Sequence, residues 1–423
     1  MEPKMDDVFG ISTEILPRSY VDRGALDAQI SRLLSKNTHI ALRGESKCGK
    51  TWLRKKNIPD AIVVQCRLTK KAVDIYVDAL SQLDIKFTVE SSTSNQFRGH
   101  IEASGSLGVE ILGELGIKFG AETQDASGSK RENVGKDIND LRYIADIFRE
   151  ANRRIVVEDF HYMSILERRV FSFDLKALWD YGVYIVIIGV WNRDNLLTTL
   201  NPDLTGRFEE ISIYWTKEDL GRVLKKGGEA LNIEFCDEFI GKLADDCFGN
   251  VGILQKIISV CLEKSSIYVR CSSLTHFCDL EKIEDAAIFY AEQLESLYRQ
   301  FAERLSSGIR KRKQATAIYS HAMAAILESD KSELINGIHI DNIFSISNSR
   351  QPRIQKGNLR SVLEKMDELQ VDTEGRGLVI SYNPGSKKVI VIDRQLLLFL
   401  KYKTIDWPWE EMIKEAEASK QEY

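Results

Sequence analysis

Short, continuously apolar runs mark the first half of the chain. Residues 38–43 (THIALR), 155–157 (IVV) and 183–191 (VYIVIIGVW) show no alternation with polar residues. Such runs fit strands buried on both faces, as in a parallel sheet covered by helices. Helix-like stretches separate them, among them MSILERRVFSFDLKALWDYG (163–182). LTGRFEEISIYW (204–215) differs, because Ile211, Ile213 and Trp215 alternate with Ser212 and Tyr214. That pattern predicts a strand at the sheet edge. A longer alternation covers 104–122, SGSLGVEILGELGIKFGAE, with apolar residues at 107, 109, 111, 115, 117, 119 and 121. Period two predicts an inserted β-hairpin or strand pair within about 87–135, between polar loops SSTSNQ and QDASGSKREN. Its plain role is packing; its sharper one is contact with a partner, a nucleic acid or a membrane.

The last third reads differently. Helical patterning covers 286–327, then INGIHIDNIFSIS and KGNLRSVLEKMDELQV. Two strand-like runs, GLVISYN and KKVIVID, are joined through Pro384-Gly385-Ser386, and LLLFLKYK follows. Three helices and a β-hairpin make a winged-helix pattern over 311–403. A helical linker (286–310) would precede it. The acidic tail 404–423 is expected to be an exposed helix or disordered.

At 423 residues the chain is long enough for two or three domains. Its 43% hydrophobic and 29% charged content is that of a globular protein. A net charge of −5 gives no global basic field for nucleic acid. Residues 310–403 depart from this, with sixteen lysines and arginines against ten acids. Arg353, Lys356 and Arg360 near the third helix, with Lys387 and Lys388 on the wing, are the candidate DNA contacts. The same helix carries Glu364, Asp367 and Glu368, so protein docking is the competing reading. No apolar run is long enough for a membrane span. The N-terminus MEPKMDDVFG lacks the apolar core of a secretion signal. Seven scattered cysteines fit reduced thiols and a cytoplasmic location. The cluster Cys271, His276, Cys278 lacks a CxxC knuckle and is not read as a metal site.

The chemistry concentrates at residues 44–51, GESKCGKT, which match G-x-x-x-x-G-K-[ST]. A predicted strand precedes the motif and a helix start, KTWLRKKN, follows it. Backbone N–H groups from Gly44, Glu45, Ser46, Lys47, Cys48 and Gly49 into the helix at Lys50, Thr51 and Trp52 would then face a phosphate chain. Lys50 would reach the β- and γ-phosphates, and the Thr51 hydroxyl would ligate Mg²⁺. A second requirement is a carboxylate at the end of another strand, and Glu158 and Asp159 follow IVV. Glu158 is assigned to the metal shell and Asp159 to the attacking water. Asn192, after the 183–191 strand, either senses the γ-phosphate or caps the strand. Arg207 either neutralises transition-state charge, in its own subunit or across an interface, or is a surface ion pair. No NKxD guanine signature is present, so ATP is the expected nucleotide.

Taken together, residues from about Arg18 to Ser265 resemble the STAND branch of the AAA+-related P-loop ATPases, especially the archaeal-type ATPases. IALRGESKCGKT resembles their phosphate loop, IVVEDFH their metal strand, and LTGRFEEISI their Gly-Arg element. The entry YVDRGALDAQISRLL resembles the segment before their first strand, which implies adenine contact near Tyr20 and Arg23. TKEDLGRVLKKGGEAL and FGNVGILQKIISVCL resemble their helical lid, here 216–285. The family's Gly-x-Pro is absent from Gly249-Asn250-Val251-Gly252. The resemblance implies an N-terminal segment (1–17), a three-layer α/β P-loop NTPase core of AAA+/STAND type (18–215), the lid and a winged helix. It implies ATP and Mg²⁺ as cofactors, hydrolysis, oligomer formation and a separate effector chain, as in bacterial antiviral-defence and signalling ATPases. A DNA-bound ATPase, similar to origin-recognition initiators or transposition regulators, is the alternative.

Overall fold

The computed structural model describes residues 2–90, 98–103, 106–116, 130–133, 138–191, 196–307, 318–370, 378–402, 407, 409, 410 and 413. Asn192, the basic run 309–313 and residues 117–122 of the alternating segment lie outside them.

Helix α1 (Leu26–Leu34) leads into β1 (His39–Gly44), which ends on the first glycine of GESKCGKT. Helix α2 (Lys50–Asn57) starts on the motif lysine. Then come β2 (Ile62–Gln65) and α3 (Ala72–Ser81). Next are β3 (Ile85–Glu90), β4 (Arg98–Ala103), α4 (Ser106–Glu114) and β5 (Lys130–Asn133). Helix α5 (Leu141–Glu150) feeds β6 (Ile155–Glu158), and α6 (Ile165–Asp180) feeds β7 (Ile185–Gly189). The short α7 (Leu196–Leu200) precedes β8 (Phe208–Ile213).

The chain divides into two compact units. One comprises residues 25–44 and 53–212. Its centre is a five-stranded sheet in the order β2-β6-β7-β1-β8. The β2–β6, β6–β7 and β7–β1 pairs are parallel. Every residue of β6 and β7 is buried, the physical counterpart of their unbroken apolar sequence. β8 occupies the edge that its alternation predicts. Side chains of α3, α5 and α6 pack with the sheet in one core that includes Ile75, Ile144, Phe171, Val157 and Ile187. Helix α5 shows how the sequence specifies such an element. Asp140 caps its N-terminus by accepting from the Tyr143 N–H at 3.1 Å. Tyr143, Ile144, Ile147 and Phe148 then fall on one buried face.

The inserted region corrects the strand assignment for 106–114. Residues 106–114 form α4, with Gly108, Ile111 and Leu112 buried. Those positions also satisfy helical spacing, and burial selects the helix over the period-two alternative. The strands lie on either side of it, in an antiparallel sheet ordered β3-β4-β5. β5 is KREN, expected as polar loop, yet it pairs with His100–Ala103.

The other unit comprises residues 1–24, 45–52 and 213–423. Its elements begin with α8 (Lys217–Leu231), β9 (Ile233–Phe235), α9 (Asp237–Asp246), α10 (Val251–Glu263) and β10 (Thr275–Phe277). The long α11 (Leu280–Ser307) precedes α12 (Ile318–Leu327) and α13 (Lys331–Asn336). Then come β11 (Ile338–His339), α14 (Ile340–Arg350), α15 (Lys356–Gln370), β12 (Ile380–Asn383), β13 (Lys388–Val391) and α16 (Gln395–Tyr402). β9 and β10 pair in parallel, and β11, β13 and β12 form a three-stranded antiparallel sheet. A single apolar core runs from Phe9 through α10 and α11 to α16. The expectation of an exposed or disordered tail fails at Trp407 and Trp409. Both are buried in that core and stack with centroids 4.7 Å apart. Two indoles offer too much apolar area to be left in water. Among the described residues no helix is long and apolar enough to cross a membrane.

Candidate nucleotide site

The phosphate-loop residues 45–52 belong to the second unit, and contacts within it define their geometry. Gly49 has φ +89° and Lys47 φ +60°, so the chain curls before α2 begins. Left-handed positions of this kind turn successive N–H groups toward a common concavity. The buried Lys50 ammonium folds back to the Glu45 carbonyl and lies 3.8 Å from Cys48 Sγ. Thr51 stands exposed on the first turn of α2. This donor set fits a nucleotide's phosphate chain. Lys50 and the loop N–H groups would hold the phosphates, with Thr51 toward Mg²⁺, which supplies charge neutralisation when bound.

Several side chains clasp the loop from outside the motif. Arg23 Nη1 and Trp215 Nε1 both donate to the Cys48 carbonyl at 2.9 Å, and the guanidinium lies 4.3 Å from the Trp215 ring centroid. Trp52 Nε1 donates to the Ser12 carbonyl at 2.8 Å. Asn250 Nδ2 donates to the Ser46 carbonyl at 3.0 Å while Asn250 Oδ1 caps α10. This asparagine stands where the resembled family has its Gly-x-Pro element. Gly252 meets the loop so closely that a Cβ there would lie 2.5 Å from Lys47 Cβ. At the start of α16, Arg394 just before the helix ion-pairs with Glu45, and Gln395 Oε1 accepts from Lys47 Nζ at 2.8 Å. Burial pushes the Glu45 carboxyl up to about 7, against the opposing pull of Arg394 and Asn250. Tyr20 meets Lys226 through its backbone carbonyl, at 2.6 Å.

The first unit holds the carboxylates. Glu158 ends β6 almost fully buried, with Oε1 3.1 Å from Arg54 Nε. Arg54 lies on α2, one helical turn after Lys50. Asp159 follows in a left-handed conformation, φ 55°, and accepts from Gln65 Nε2. Glu158 and Asp159 thus point to different partners. Arg43, next to last in β1, pairs with Glu210 at 3.2 Å. Neither of these residues carries a recognisable sequence signal.

Arg207 is brought elsewhere. Its carbonyl accepts from the His39 N–H at the start of β1, whereas Gly44 closes the other end. Five residues of strand separate the two ends by about 16 Å. Arg207 instead binds the Asp203 carbonyl, lies 5.0 Å from the Trp179 ring centroid and 3.9 Å from Asp180. Action at the γ-phosphate of its own subunit is therefore not supported, because nucleotides bind at the C-terminal ends of parallel strands.

Of the candidate DNA contacts, Lys356 pairs with Asp341, and Arg360 with Glu364 at 2.8 Å. Arg353 and Lys387 are exposed, and Lys388 is half-buried.

No protein-family model and no curated relative matches the chain. Similar solved structures include the Orc1 protein of Aeropyrum pernix in complex with DNA, at 11% identity and a TM-score of 0.36 over 92% of this chain and 94% of that one. Cdc6p from Pyrobaculum aerophilum gives 12% identity and a TM-score of 0.36, over 94% and 97%. A STAND protein with a tetratricopeptide repeat sensor from Pyrococcus horikoshii gives 12% and 0.35, over 93% of this chain and 44% of that one. Likenesses at this level carry no weight for activity or partners. The chain thus has a parallel α/β sheet with the strand–loop–helix of a P-loop between β1 and α2, and a carboxylate at the end of β6, two strands from β1 in the sheet.

Proposed function

We propose that this protein is a nucleotide-operated switch that binds Mg²⁺-ATP at Gly44–Thr51 and hydrolyses it. The observation that carries the reading is the clasp on the loop by Asn250, Arg394 and Gln395. A triphosphate entering the cradle competes with Glu45 for the Arg394 guanidinium and with the Ser46 carbonyl for the Asn250 amide N–H. Nucleotide state is thereby coupled to elements more than two hundred residues away in sequence. Asp159 is the proposed water-positioning carboxylate and Glu158 the metal-side one, with Arg54 orienting Glu158. Tyr20 and Arg23 are proposed near the adenine, and Asn192 near the γ-phosphate. Arg207 is proposed to act across a subunit interface.

Residues 311–403 are proposed to be a winged helix. Ion pairing of Lys356 and Arg360 within the chain favours protein docking over DNA contact for it. The output would pass to a separate effector chain, as the resemblance to defence and signalling ATPases implies, with the cytoplasm as the expected setting. DNA binding through Arg353, Lys387 and Lys388 is the alternative.

The test is phosphate release and molecular mass of the full chain with ATP, ADP or no nucleotide. Turnover together with an ATP-dependent change in mass supports the switch. Binding without turnover or mass change would leave a nucleotide-stabilised scaffold. DNA-stimulated turnover that falls steeply with salt would favour the alternative.

A further inference from the structure

We infer that Cys236 and Cys278 form an oxidisable dithiol, a modification site that small-molecule disulfides such as oxidised glutathione convert to an intrachain disulfide. The placement follows from the parallel ladder of β9 and β10. Phe235 and Phe277 are register partners whose rings turn inward, 5.8 Å apart. One residue earlier, Glu234 and His276 are partners on the outward face and touch at 3.0 Å. One residue later the ladder continues, because the Cys236 N–H donates to the Phe277 carbonyl at 3.2 Å. Cys236 and Cys278 are therefore the next matched pair, again on the outward face. Adjacent strands lie about 4.8 Å apart, inside the Cα separation of about 4.4–6.8 Å that a disulfide accepts.

Access separates this pair from four of the other five cysteines, and ladder position separates it from the half-buried Cys271. Cys278 is exposed and Cys236 half-buried, whereas Cys48, Cys66, Cys247 and Cys261 are buried. The chemistry balances as two exchanges. The Cys278 thiolate attacks one sulfur of oxidised glutathione, whose S–S bond breaks and releases one glutathione thiolate. Cys236 then attacks the Cys278 sulfur of the mixed disulfide and expels the second glutathione. Two protein thiols are oxidised, one glutathione disulfide is reduced, and the two protons end on the two released thiols. The bond would close the segment that carries α9 and α10. Asn250, which holds the Ser46 carbonyl, sits inside that segment. Cross-linking its ends restricts the unfolded chain and stiffens the base of the lid.

The experiment incubates the full chain in glutathione redox buffers of rising oxidised fraction. Expected are a loss of two hydrogen masses, a cross-linked peptide pair containing Cys236 and Cys278, and a melting temperature several degrees higher that reductant reverses. Cys278→Ser, an exposed change that leaves the core intact, should abolish all three, and Cys271→Ser should retain them. A stable glutathione adduct on Cys278 that never resolves would overturn the inference. So would a cross-link that joins Cys271 instead.

Discussion

Arg54 Nε stands 3.1 Å from Glu158 Oε1, with the two side chains only 10% and 8% exposed. An ion pair this buried gains little over a well-packed apolar pair, but removing one partner strands a charge. Arg54→Met is expected to destabilise the protein by about 3–5 kcal/mol. Arg54→Met with Glu158→Gln should recover much of that loss. Urea unfolding of the parent, both single variants and the double variant measures the coupling. Additive losses would show that the pair does not interact.

Asp159→Asn should leave ATP binding in place and slow hydrolysis by about 10²–10⁴-fold, the usual cost of losing a positioned base. Phosphate release under saturating Mg²⁺-ATP checks it. A parental rate would remove Asp159 from the mechanism.

Lys50→Ala should abolish ATP binding and keep the fold. The Glu45 carbonyl and Cys48, which the ammonium meets, lie within the loop itself. Calorimetry with Mg²⁺-ATP, alongside a circular-dichroism melt, separates lost binding from lost structure. Unchanged affinity would sink the nucleotide-site assignment.

Two buried groups make stability depend on pH with opposite signs. His39 accepts from the Ile185 N–H through Nδ1 and lies 2.9 Å from the Leu175 carbonyl through Nε2, so the neutral ring fits. Burial, chiefly, lowers its pKa from 6.5 to about 4. Between those values the unfolded chain binds the extra proton. Stability should fall as pH drops from 6.5 to 4, by about 3 kcal/mol. Glu45 is raised from 4.5 to about 7, so here the folded chain binds the extra proton. Its contribution should decline as pH rises from 4.5 to 7, and Glu45→Gln should flatten that slope. Denaturant melts across pH 4–8 distinguish the two. A Glu45→Gln profile parallel to the parent would refute the second assignment.

Arg207→Ala and Lys50→Ala should each be inactive alone yet regain some ATPase activity when mixed. Mixed oligomers would join an intact nucleotide site to an intact arginine from a neighbour. An arginine in that role is worth about 10³–10⁵ in rate, which gives the assay its range. Full activity of Arg207→Ala by itself would leave only its local contacts with Asp203, Trp179 and Asp180.

The sequence by itself determined the elements that local rules govern. GESKCGKT announced its loop because glycine spacing and a helix-starting lysine are local features. IVV and VYIVIIGV announced buried parallel strands because double burial leaves no polar position. The edge strand at Ile211 and Ile213 was legible for the complementary reason, since one face meets water. Residues 106–114 misled because Leu107, Val109 and Ile111 alternate like a strand while Gly108, Ile111 and Leu112 fall at helical spacing, and only packing chooses between the two. Trp407 and Trp409 sat among acidic residues that argued for exposure, and a core built from distant segments buried them. Arg207 carried a plausible motif, but the pairing of its carbonyl with His39 puts it at the other end of β1. The clasp on Glu45, Ser46 and Lys47 comes from Asn250, Arg394 and Gln395. Ion pairs and hydrogen bonds act over ångströms of space regardless of separation along the chain, so these partners were the tertiary structure's to decide.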